Sequence, residues 1–257
     1  MNITDTHIHL YAEQFDADRG NLMELAQKHA VTRFFMPNID SSSIASMLEL
    51  QHKYPDICFP MMGLHPCSVK ENYLEEIKLV EEWLAKEKFY AVGEIGIDLY
   101  WDKTYIKEQE IAFTRQLELA HQYQLPIVIH ARESFDEIFK LLVQNKAQHP
   151  HGIFHCFTGN IEQARKIIDM GFYLGIGGVL TYKNSGLDKV IAEIDLSHLV
   201  LETDAPYLAP TPFRGKRNQP DYIVKVAEKI AEIKETTIEN VAIITTENAQ
   251  KIFRFEK

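Results

Sequence analysis

The chain has 257 residues, of which 46% are hydrophobic, and its formal net charge is −10. This length suits one large domain, and barrels of alternating strands and helices commonly have this size. No apolar run reaches the roughly 18 residues of a membrane-spanning helix, and His7 and His9 stand where a signal peptide needs apolar residues. The negative charge argues against a protein that coats a nucleic-acid duplex, because such proteins present a basic surface to the phosphates.

Short β-rich runs alternate along the chain with segments of helical periodicity. Eight strands are predicted, at residues 3–7, 32–36, 58–64, 90–95, 126–129, 152–155, 172–176 and 199–202. Helices are predicted between them at residues 22–29, 43–53, around 77–84, and at 103–123, 135–144, 161–170 and 187–193. Asn160 is the predicted N-cap of the sixth helix, which ends at Gly171. Two further helices close the chain, and Thr236 and Glu239 form a predicted capping box for the second.

This alternation predicts parallel pairing of the strands, and eight is the number of strands that closes such a barrel. A doubly wound open sheet is the alternative, but no glycine-rich phosphate loop follows the first strand, as that fold often shows. The sequence contains no evident linker, low-complexity segment or repeat. We therefore expect an α/β fold, a TIM-type (β/α)8 barrel that forms a single domain over residues 1–257.

Several predicted strand ends carry side chains that bind metals, and a barrel of this kind places its active site at the C-terminal ends of its strands. His7 and His9 close the first strand and lie on one face of an extended run. The other members of the set are Glu94 in the fourth strand, His130 ending the fifth, His155 ending the sixth and Asp204 after the eighth. His65, in Gly63-Leu64-His65-Pro66, ends the third strand.

Each of these residues also has a plain structural explanation. A His-x-His sequence occurs often by chance, His130 suits a satisfied strand end, and Asp204 suits a cap before the turn at Pro206. Glu94 is harder to explain in this way, since a carboxylate inside an apolar strand is costly unless it is paired or metal-bound. Four imidazoles and two carboxylates together are typical of a two-metal hydrolase, and we interpret them as one site.

Seven motifs spread over nearly the whole chain resemble those of one known family. They are Asp5-Thr6-His7-Ile8-His9-Leu10, Gly63-Leu64-His65-Pro66, Gly93-Glu94-Ile95-Gly96-Ile97-Asp98, Pro126-Ile127-Val128-Ile129-His130-Ala131-Arg132, His155-Cys156-Phe157-Thr158-Gly159, Glu202-Thr203-Asp204-Ala205-Pro206-Tyr207 and Arg214-Gly215-Lys216-Arg217-Asn218. The first motif is shared across the amidohydrolase superfamily, but the set in this order resembles the TatD family of metal-dependent deoxyribonucleases within it.

The resemblance implies a TIM-type barrel that holds two divalent cations. The implied ligands are His7, His9 and Asp204 for one cation, His130 and His155 for the other, and Glu94 as the bridge. Phosphotriesterase- and dihydroorotase-like relatives bridge their metals with a carboxylated lysine, so the glutamate here favours phosphodiester hydrolysis over the opening of cyclic amides. The mixed nitrogen and oxygen set accepts magnesium, manganese or zinc, and the sequence does not decide between them.

The predicted chemistry follows from this pair of cations. A water bound between them loses its proton near neutral pH and becomes the nucleophile. Asp204 is expected to be both a ligand and the proton acceptor, and His65 to contact the scissile phosphate or to protonate the leaving group. Glu202 shares the strand face of Asp204, and it either enters the site or forms a buried pair.

Basic side chains near the same end of the barrel are candidates for substrate binding. Arg214, Lys216 and Arg217 lie in the loop after the eighth strand, where barrels of this class often bind phosphate. A solvated run of charges is the commoner meaning of such a cluster. Arg132 and Lys183 follow the fifth and seventh strands and are further candidates for contacts with phosphate.

Three aromatic residues are predicted on loops at this end. Trp101, Phe157 and Tyr182 are candidates for stacking on terminal bases, a contact that tolerates any base sequence. Packing inside the protein is the commoner role of each such residue.

The leading hypothesis is a metal-dependent phosphodiesterase that trims nucleic-acid ends, and the family resemblance indicates a 3′ to 5′ exodeoxyribonuclease on single-stranded DNA. A small-molecule hydrolase of amides, lactones or phosphoesters is the alternative, which the acidic composition favours, whereas Glu94 and the basic loop after the eighth strand disfavour it. A catalytically silent metal-binding interaction protein is a third hypothesis. Three well-separated cysteines predict a reducing cytoplasm, and the sequence indicates neither a membrane association nor an obligate protein partner.

Overall fold

Eight β-strands alternate with helices in the computed structural model, which describes residues 2–255. The strands are β1 (Ile3–Asp5), β2 (Val31–Pro37), β3 (Cys58–Met61), β4 (Val92–Asp98), β5 (Ile127–Arg132), β6 (Gly152–Phe154), β7 (Phe172–Ile176) and β8 (Leu199–Leu201). The helices are α1 (Arg19–Lys28), α2 (Ile44–Lys53), α3 (Tyr73–Lys86), α4 (Ile106–Tyr123), α5 (Phe135–Gln144), α6 (Ile161–Asp169), α7 (Leu187–Glu193), α8 (Ile223–Ile233) and α9 (Ile238–Phe253). The predicted α/β alternation is confirmed.

The strands pair in parallel and in chain order. Strands β1 to β3 form one sheet and β4 to β8 a second. Backbone hydrogen bonds also join the two sheets at both edges. Gly93 N donates to Met62 O at 3.0 Å between β3 and β4, and Thr6 N donates to Leu201 O at 2.9 Å between β1 and β8. The chain segments that follow β1 and β8 therefore lie side by side.

Successive strand residues face opposite sides, as strand geometry requires. In β5, Ile127 and Ile129 belong to the larger apolar cluster, which the helices share, whereas Val128 belongs to a separate inner cluster. That inner cluster contains Phe35 and Phe59 from the first sheet and Val128, Ile153 and Val200 from the second. Helix α9 adds Phe253, whose ring stacks on Phe35 with the centroids 3.9 Å apart.

The helices bury one face each, as their periodicity predicted. In α3 the buried residues are Ile77, Val80 and Leu84, which recur three and four residues apart. Full burial of each such side chain contributes about 1.5–3 kcal/mol relative to exposure. Within residues 2–255 no helix is both long enough and apolar enough to cross a membrane.

One of the two predicted helix caps is confirmed, and the other is wrong by one residue. The side chain of Asn160 accepts a hydrogen bond from Gln163 N, and the Gln163 side chain accepts one from Asn160 N, at 2.9 Å each. For α9 the N-cap is Thr237, whose hydroxyl accepts from Asn240 N at 3.1 Å. Two adjacent threonines look alike in sequence, and the extended backbone of Thr237 decides which of them caps the helix.

Two strand boundaries differ from the prediction in ways that affect the site. Strand β1 ends at Asp5, because Thr6 already bonds to Leu201 of β8, so His7 and His9 lie on the loop that follows. Strand β4 runs from Val92 to Asp98 instead of residues 90–95, because its pairing with β5 continues to Asp98 opposite Arg132.

Candidate metal centre

The buried carboxylate of Glu94, in β4, is the centre of the candidate site. Its Oε1 faces one group of imidazole nitrogens: His155 Nε2 at 2.7 Å, His130 Nδ1 at 2.9 Å and His65 Nε2 at 3.2 Å. Its Oε2 faces another group: His7 Nε2 at 3.1 Å and His9 Nε2 at 3.9 Å. One carboxylate therefore presents a separate oxygen to each of two imidazole groups.

The charges around Glu94 keep it ionised despite its burial. Burial alone raises the pKa of a carboxyl group, but the facing imidazoles, His155 foremost, hold the pKa of Glu94 well below its usual range. Burial likewise lowers the pKa of His155, but the carboxylates of Glu94 and Glu202 raise it well above its ordinary value. The site is thus built around an anion that attracts positive charge.

Asp204 supplies the second carboxylate, from the turn that follows β8. Its Oδ1 lies 3.5 Å from His9 Nε2 and 3.7 Å from His7 Nε2. Burial raises the pKa of Asp204, but the neighbouring imidazoles of His9 and His7 bring the net pKa below its usual value. His7 and His9 therefore lie between two carboxylates.

His7 provides the test of whether these residues fit a metal. The ring is fully buried, and within residues 2–255 neither of its nitrogens has a hydrogen-bond partner. Buried polar atoms nearly always have a partner, and an imidazole nitrogen that lies 3.1 Å and 3.7 Å from two carboxylates without a hydrogen bond is placed where a cation would satisfy all three groups. The donor set of imidazole nitrogens and carboxylate oxygens suits divalent metals. The residues present therefore fit a metal centre.

The hydroxyl of Tyr11 determines which nitrogen of His9 faces the centre. Tyr11 donates its only hydroxyl proton to Pro37 O at 2.6 Å. The contact of 3.1 Å between this hydroxyl and His9 Nδ1 therefore has the imidazole as its donor. His9 Nε2 is left with a free lone pair, which is the tautomer that a metal ligand needs.

His65 has the opposite tautomer. Its Nδ1 accepts the backbone N–H of Cys67 at 3.0 Å, so the neutral ring carries its proton on Nε2, the atom that faces Glu94. A protonated Nε2 donates a hydrogen bond and does not bind a metal. The position of His65 thus suits a contact with substrate better than a place among the ligands.

Asp98 is a functional candidate that the sequence analysis did not assign. Its Oδ2 lies 2.8 Å from His130 Nε2, so that His130 Nδ1 remains directed at Glu94. A carboxylate behind a histidine in this way fixes the ring orientation of many metal ligands. The predicted fourth strand ended at residue 95, and only its continuation to Asp98 places this carboxylate on the strand face of Glu94, four residues before it.

The position of Glu202 decides between its two sequence interpretations. Its side chain is fully buried, Oε1 accepts the backbone N–H of Cys156, and the same oxygen lies 3.7 Å from His155 Nδ1. Glu202 therefore forms a buried pair behind His155, on the far side of that ring from Glu94.

A cavity of about 610 Å³ opens onto the centre. Its lining includes His9, His65, Glu94, Arg132, His155 and Asp204. Of the five basic residues proposed from the sequence, only Arg132 lines this cavity. Lys183, Arg214 and Lys216 are exposed, and the guanidinium of Arg214 lies 4.5 Å from the ring centroid of Tyr182.

Arg217 has a different partner from the phosphate that the sequence suggested. Its guanidinium binds both carboxylate oxygens of Asp18, at 2.6 and 3.0 Å, and donates to Gln14 O at 2.6 Å. These contacts tie the loop after β8 to the segment before α1. A partner 199 residues away in the chain could not be seen from the local run of charges.

The three predicted stacking residues differ in exposure. Phe157 is only 2% exposed and packs in the core, which is the commoner role expected of such a residue. The hydroxyl of Tyr182 donates to Ala209 O at 2.9 Å, which places this ring in the protein's own packing. Trp101 is 68% exposed.

Comparison with known proteins identifies the family. The family model described as TatD related DNase matches residues 4–254. YabD of Bacillus subtilis (strain 168), described as an uncharacterised metal-dependent hydrolase, is 42% identical over 251 residues, which cover 97% of this chain and 98% of that protein. YcfH of Escherichia coli (strain K12), described in the same words, is 29% identical over 261 residues, with 100% and 97% covered.

Solved structures agree with this assignment. The TatD homologue YjjV from Escherichia coli K12 has a TM-score of 0.93 at 28% identity and covers 99% of this chain and 98% of its own. A phosphotriesterase homology protein from Escherichia coli, at 15% identity and a TM-score of 0.75, shares the fold. The family model and the relatives span nearly the whole chain, and the chain therefore belongs to the TatD related DNase family and is a metal-dependent hydrolase.

Proposed function

We propose that this protein is a phosphodiesterase that removes nucleotides from the 3′ end of single-stranded DNA. The observation that carries the proposal is the position of Glu94, whose two oxygens face separate imidazole groups at the base of one cavity. Some relatives in the superfamily bridge their metals with a carboxylated lysine at this place, whereas this chain has a glutamate. That difference favours phosphodiesters over cyclic amides as substrates. The description of the family as DNases supports a nucleic-acid substrate.

We assign two divalent cations to this centre. The proposed ligands are His7, His9 and Asp204 for one, His130 and His155 for the other, and Glu94 for both. When bound, such cations lower the pKa of a water between them and stabilise negative charge on phosphoryl oxygens. Magnesium, manganese and zinc all suit this mixture of donors.

The protein's own groups then have distinct tasks. Asp204 is held ionised and its side chain is 13% exposed to the cavity, so it can accept the proton of the attacking water. His65 donates its Nε2–H to the leaving oxygen or to the phosphate. The guanidinium of Arg132 binds a phosphate oxygen at the cavity wall, with Lys183, Arg214 and Lys216 contributing charge further out.

A hydrolase of small neutral substrates is the second candidate, favoured by the net charge of −10 and by the pairing of Arg217 with Asp18. The dependence of KM on salt concentration distinguishes the two candidate functions. We expect KM for an oligonucleotide to rise with salt concentration, because binding releases counterions, whereas KM for a neutral lactone or amide stays constant. The proposal is abandoned if the protein, reconstituted with each of the three metals, hydrolyses lactones or amides but no phosphodiester.

A catalytically silent metal-binding protein is the third candidate. Asp204→Asn removes the proposed proton acceptor and keeps an oxygen ligand. We expect this variant to lose hydrolysis while it still binds metal. Asp221→Asn, at a half-buried carboxylate that accepts a hydrogen bond from Gln219 outside the site, should behave as wild type. A cellular role that survives in Asp204→Asn would favour a binding protein over an enzyme.

We also propose that the two sheets form one closed (β/α)8 barrel and that residues 1–257 form a single domain. The support is the hydrogen bonding at both edges of the sheets and the inner cluster, which draws side chains from both. We expect the protein to work in the cytoplasm, where its three free thiols, Cys58, Cys67 and Cys156, would stay reduced.

A further inference from the structure

We propose that Trp101, together with Tyr100 and Arg132, forms a nucleotide subsite at the rim of the metal centre, in which a base stacks on Trp101 and its phosphate binds Arg132. This inference rests on the proposed nucleic-acid substrate and adds to it the place and the chemistry of recognition. We call these three residues the rim platform.

The rim platform is held in place by Asp98, the carboxylate behind His130. Oδ1 of Asp98 accepts the backbone N–H of Tyr100 at 2.9 Å and that of Trp101 at 3.0 Å, while its Oδ2 holds His130. Leu99 N donates to Arg132 O at 3.0 Å, which ties the end of β4 to the end of β5. The loop that carries the two aromatic rings is therefore positioned by the same carboxylate that orients a proposed metal ligand.

The side chains of the rim platform are stacked on one another. The guanidinium carbon of Arg132 lies 3.9 Å from the ring centroid of Tyr100 and 5.2 Å from that of Trp101. The two rings meet edge to face, with centroids 4.9 Å apart. Contact with the face of Tyr100 restrains the guanidinium and leaves its N–H groups free to bind a phosphate.

Two observations indicate that the rim platform has a ligand. Trp101 is 68% exposed and Tyr100 is 49% exposed, although both rings are large and apolar. Within residues 2–255 the Arg132 guanidinium has no carboxylate or carbonyl partner, whereas that of Arg217 binds Asp18 and Gln14 O. An exposed ring beside an unpaired guanidinium matches the two parts of a nucleotide, a planar base and a phosphate.

The location relates this subsite to the reaction. Trp101 and Arg132 line the same cavity as Glu94 and Asp204. Trp101 also lines an adjoining cavity of about 260 Å³, so space for a planar group borders the indole. A base that stacks here belongs to a nucleotide next to the scissile phosphate, and stacking accepts any base, as an end-trimming nuclease requires.

The test compares substrates with and without a base. Metal-loaded wild type and Trp101→Ala are assayed on single-stranded oligonucleotides that differ only in abasic residues at the last two 3′ positions. We expect Trp101→Ala to raise KM on the normal oligonucleotide about 5- to 150-fold, the range for loss of one stacked base, and to change KM on the abasic oligonucleotide less than twofold. Trp101→Phe should recover part of the loss, and Trp83→Phe, which changes the other tryptophan of the chain, should match wild type.

A binding measurement complements the kinetics. In the Trp83→Phe protein, Trp101 is the sole tryptophan. We expect oligothymidylate, added in the presence of a chelator, to quench its fluorescence, and the abasic oligonucleotide of equal length to quench it much less. Arg132→Gln should weaken binding of both oligonucleotides and reduce the dependence of binding on salt.

The outcomes separate this inference from the proposed function. Equal effects of Trp101→Ala on the normal and abasic oligonucleotides, with cleavage intact, would overturn the subsite and leave the nuclease standing. Failure of the wild type to cleave any oligonucleotide would overturn the proposed function and the subsite with it. A rise in KM confined to the oligonucleotide that carries bases supports both.

Discussion

Tyr11 gives a residue-scale prediction, because its hydroxyl fixes the proton of His9 on Nδ1. We expect Tyr11→Phe to weaken binding of manganese about 10- to 100-fold, the usual effect of losing a group that orients a metal ligand. Tyr105→Phe is the matched control, since that hydroxyl bonds to Glu71 at the surface. Competition with a fluorescent chelator measures the metal affinity of both variants. An unchanged affinity in Tyr11→Phe would show that the tautomer of His9 does not depend on Tyr11.

His65 gives a second prediction at this scale. Its Nδ1 accepts a hydrogen bond from the backbone N–H of Cys67, so we expect His65 to contact the substrate and not to bind a metal. His65→Ala should lower kcat about 10²- to 10⁴-fold, the range for loss of a general acid, with metal affinity changed less than threefold. A tenfold or greater loss of metal affinity in this variant would place His65 among the ligands.

The sequence could predict these residues only where chemistry follows local pattern. The histidines and carboxylates at strand ends were found because parallel strands bring their C-terminal ends together. Asp98 and Tyr11 act through a hydrogen bond to a ligand, which residue type alone does not indicate. The partner of Arg217 could not be predicted from the sequence, because Asp18 becomes its neighbour only when β1 and β8 pair.

Gly175 in β7 lies against Glu202 and has no room for a side chain. A Cβ on this residue of β7 would overlap Glu202 Oε2, and Glu202 holds Cys156 N–H behind His155. We expect Gly175→Ala to lower the free energy of unfolding by about 1–3 kcal/mol through overpacking. Gly20→Ala, in helix α1 where an added Cβ would meet no other atom within 4 Å, should instead raise it by about 0.5–1 kcal/mol. Urea unfolding measures both changes, and equal signs would contradict this account of β7.

The buried thiol of Cys58, in β3, makes the free energy of unfolding depend on pH. Burial raises the pKa of its thiol to about 12, whereas the pKa of a cysteine thiol in the unfolded chain is about 8.5. Above that lower value only the unfolded chain loses the proton, so the free energy of unfolding falls by about 1.4 kcal/mol per pH unit until the folded pKa is reached.

The measurement is urea unfolding at pH 8 and pH 10. Wild type should lose about 2 kcal/mol more than Cys58→Ala between these two values. Cys67→Ala, which removes a half-buried thiol, should follow wild type. Parallel losses in wild type and Cys58→Ala would mean that the thiol of Cys58 ionises freely in the folded protein.

Among the strands and helices, the presence of each element and its order in the chain could be predicted from the sequence, but its first and last residues were less predictable. Short β-rich runs placed the strands named above, and helical periodicity placed most of the helices, since each buries a regular face, while a capping box indicated the last helix. The ends of β1 and β4 depend on which neighbouring strand continues the pairing, and the cap of α9 depends on the backbone angles of Thr237. Tertiary contacts decide such details.

At the scale of the whole molecule, the chain is acidic yet belongs to a family described as DNases. In the proposed account this conflict is resolved locally, because the cations and Arg132 supply the positive charge at the cavity. Contact with few phosphates predicts a shallow salt dependence, about one unit of slope for each phosphate neutralised. Substrates would therefore be bound at their ends and not along their length.

The most direct measurement is hydrolysis of single-stranded DNA labelled at its 5′ end, by protein loaded with magnesium, manganese or zinc. We expect a ladder that shortens from the 3′ end, is absent with Glu94→Ala and is unchanged with Glu228→Ala, a surface carboxylate paired with Lys225. DNA that stays at full length with every metal, while a lactone or amide is turned over, would contradict the account.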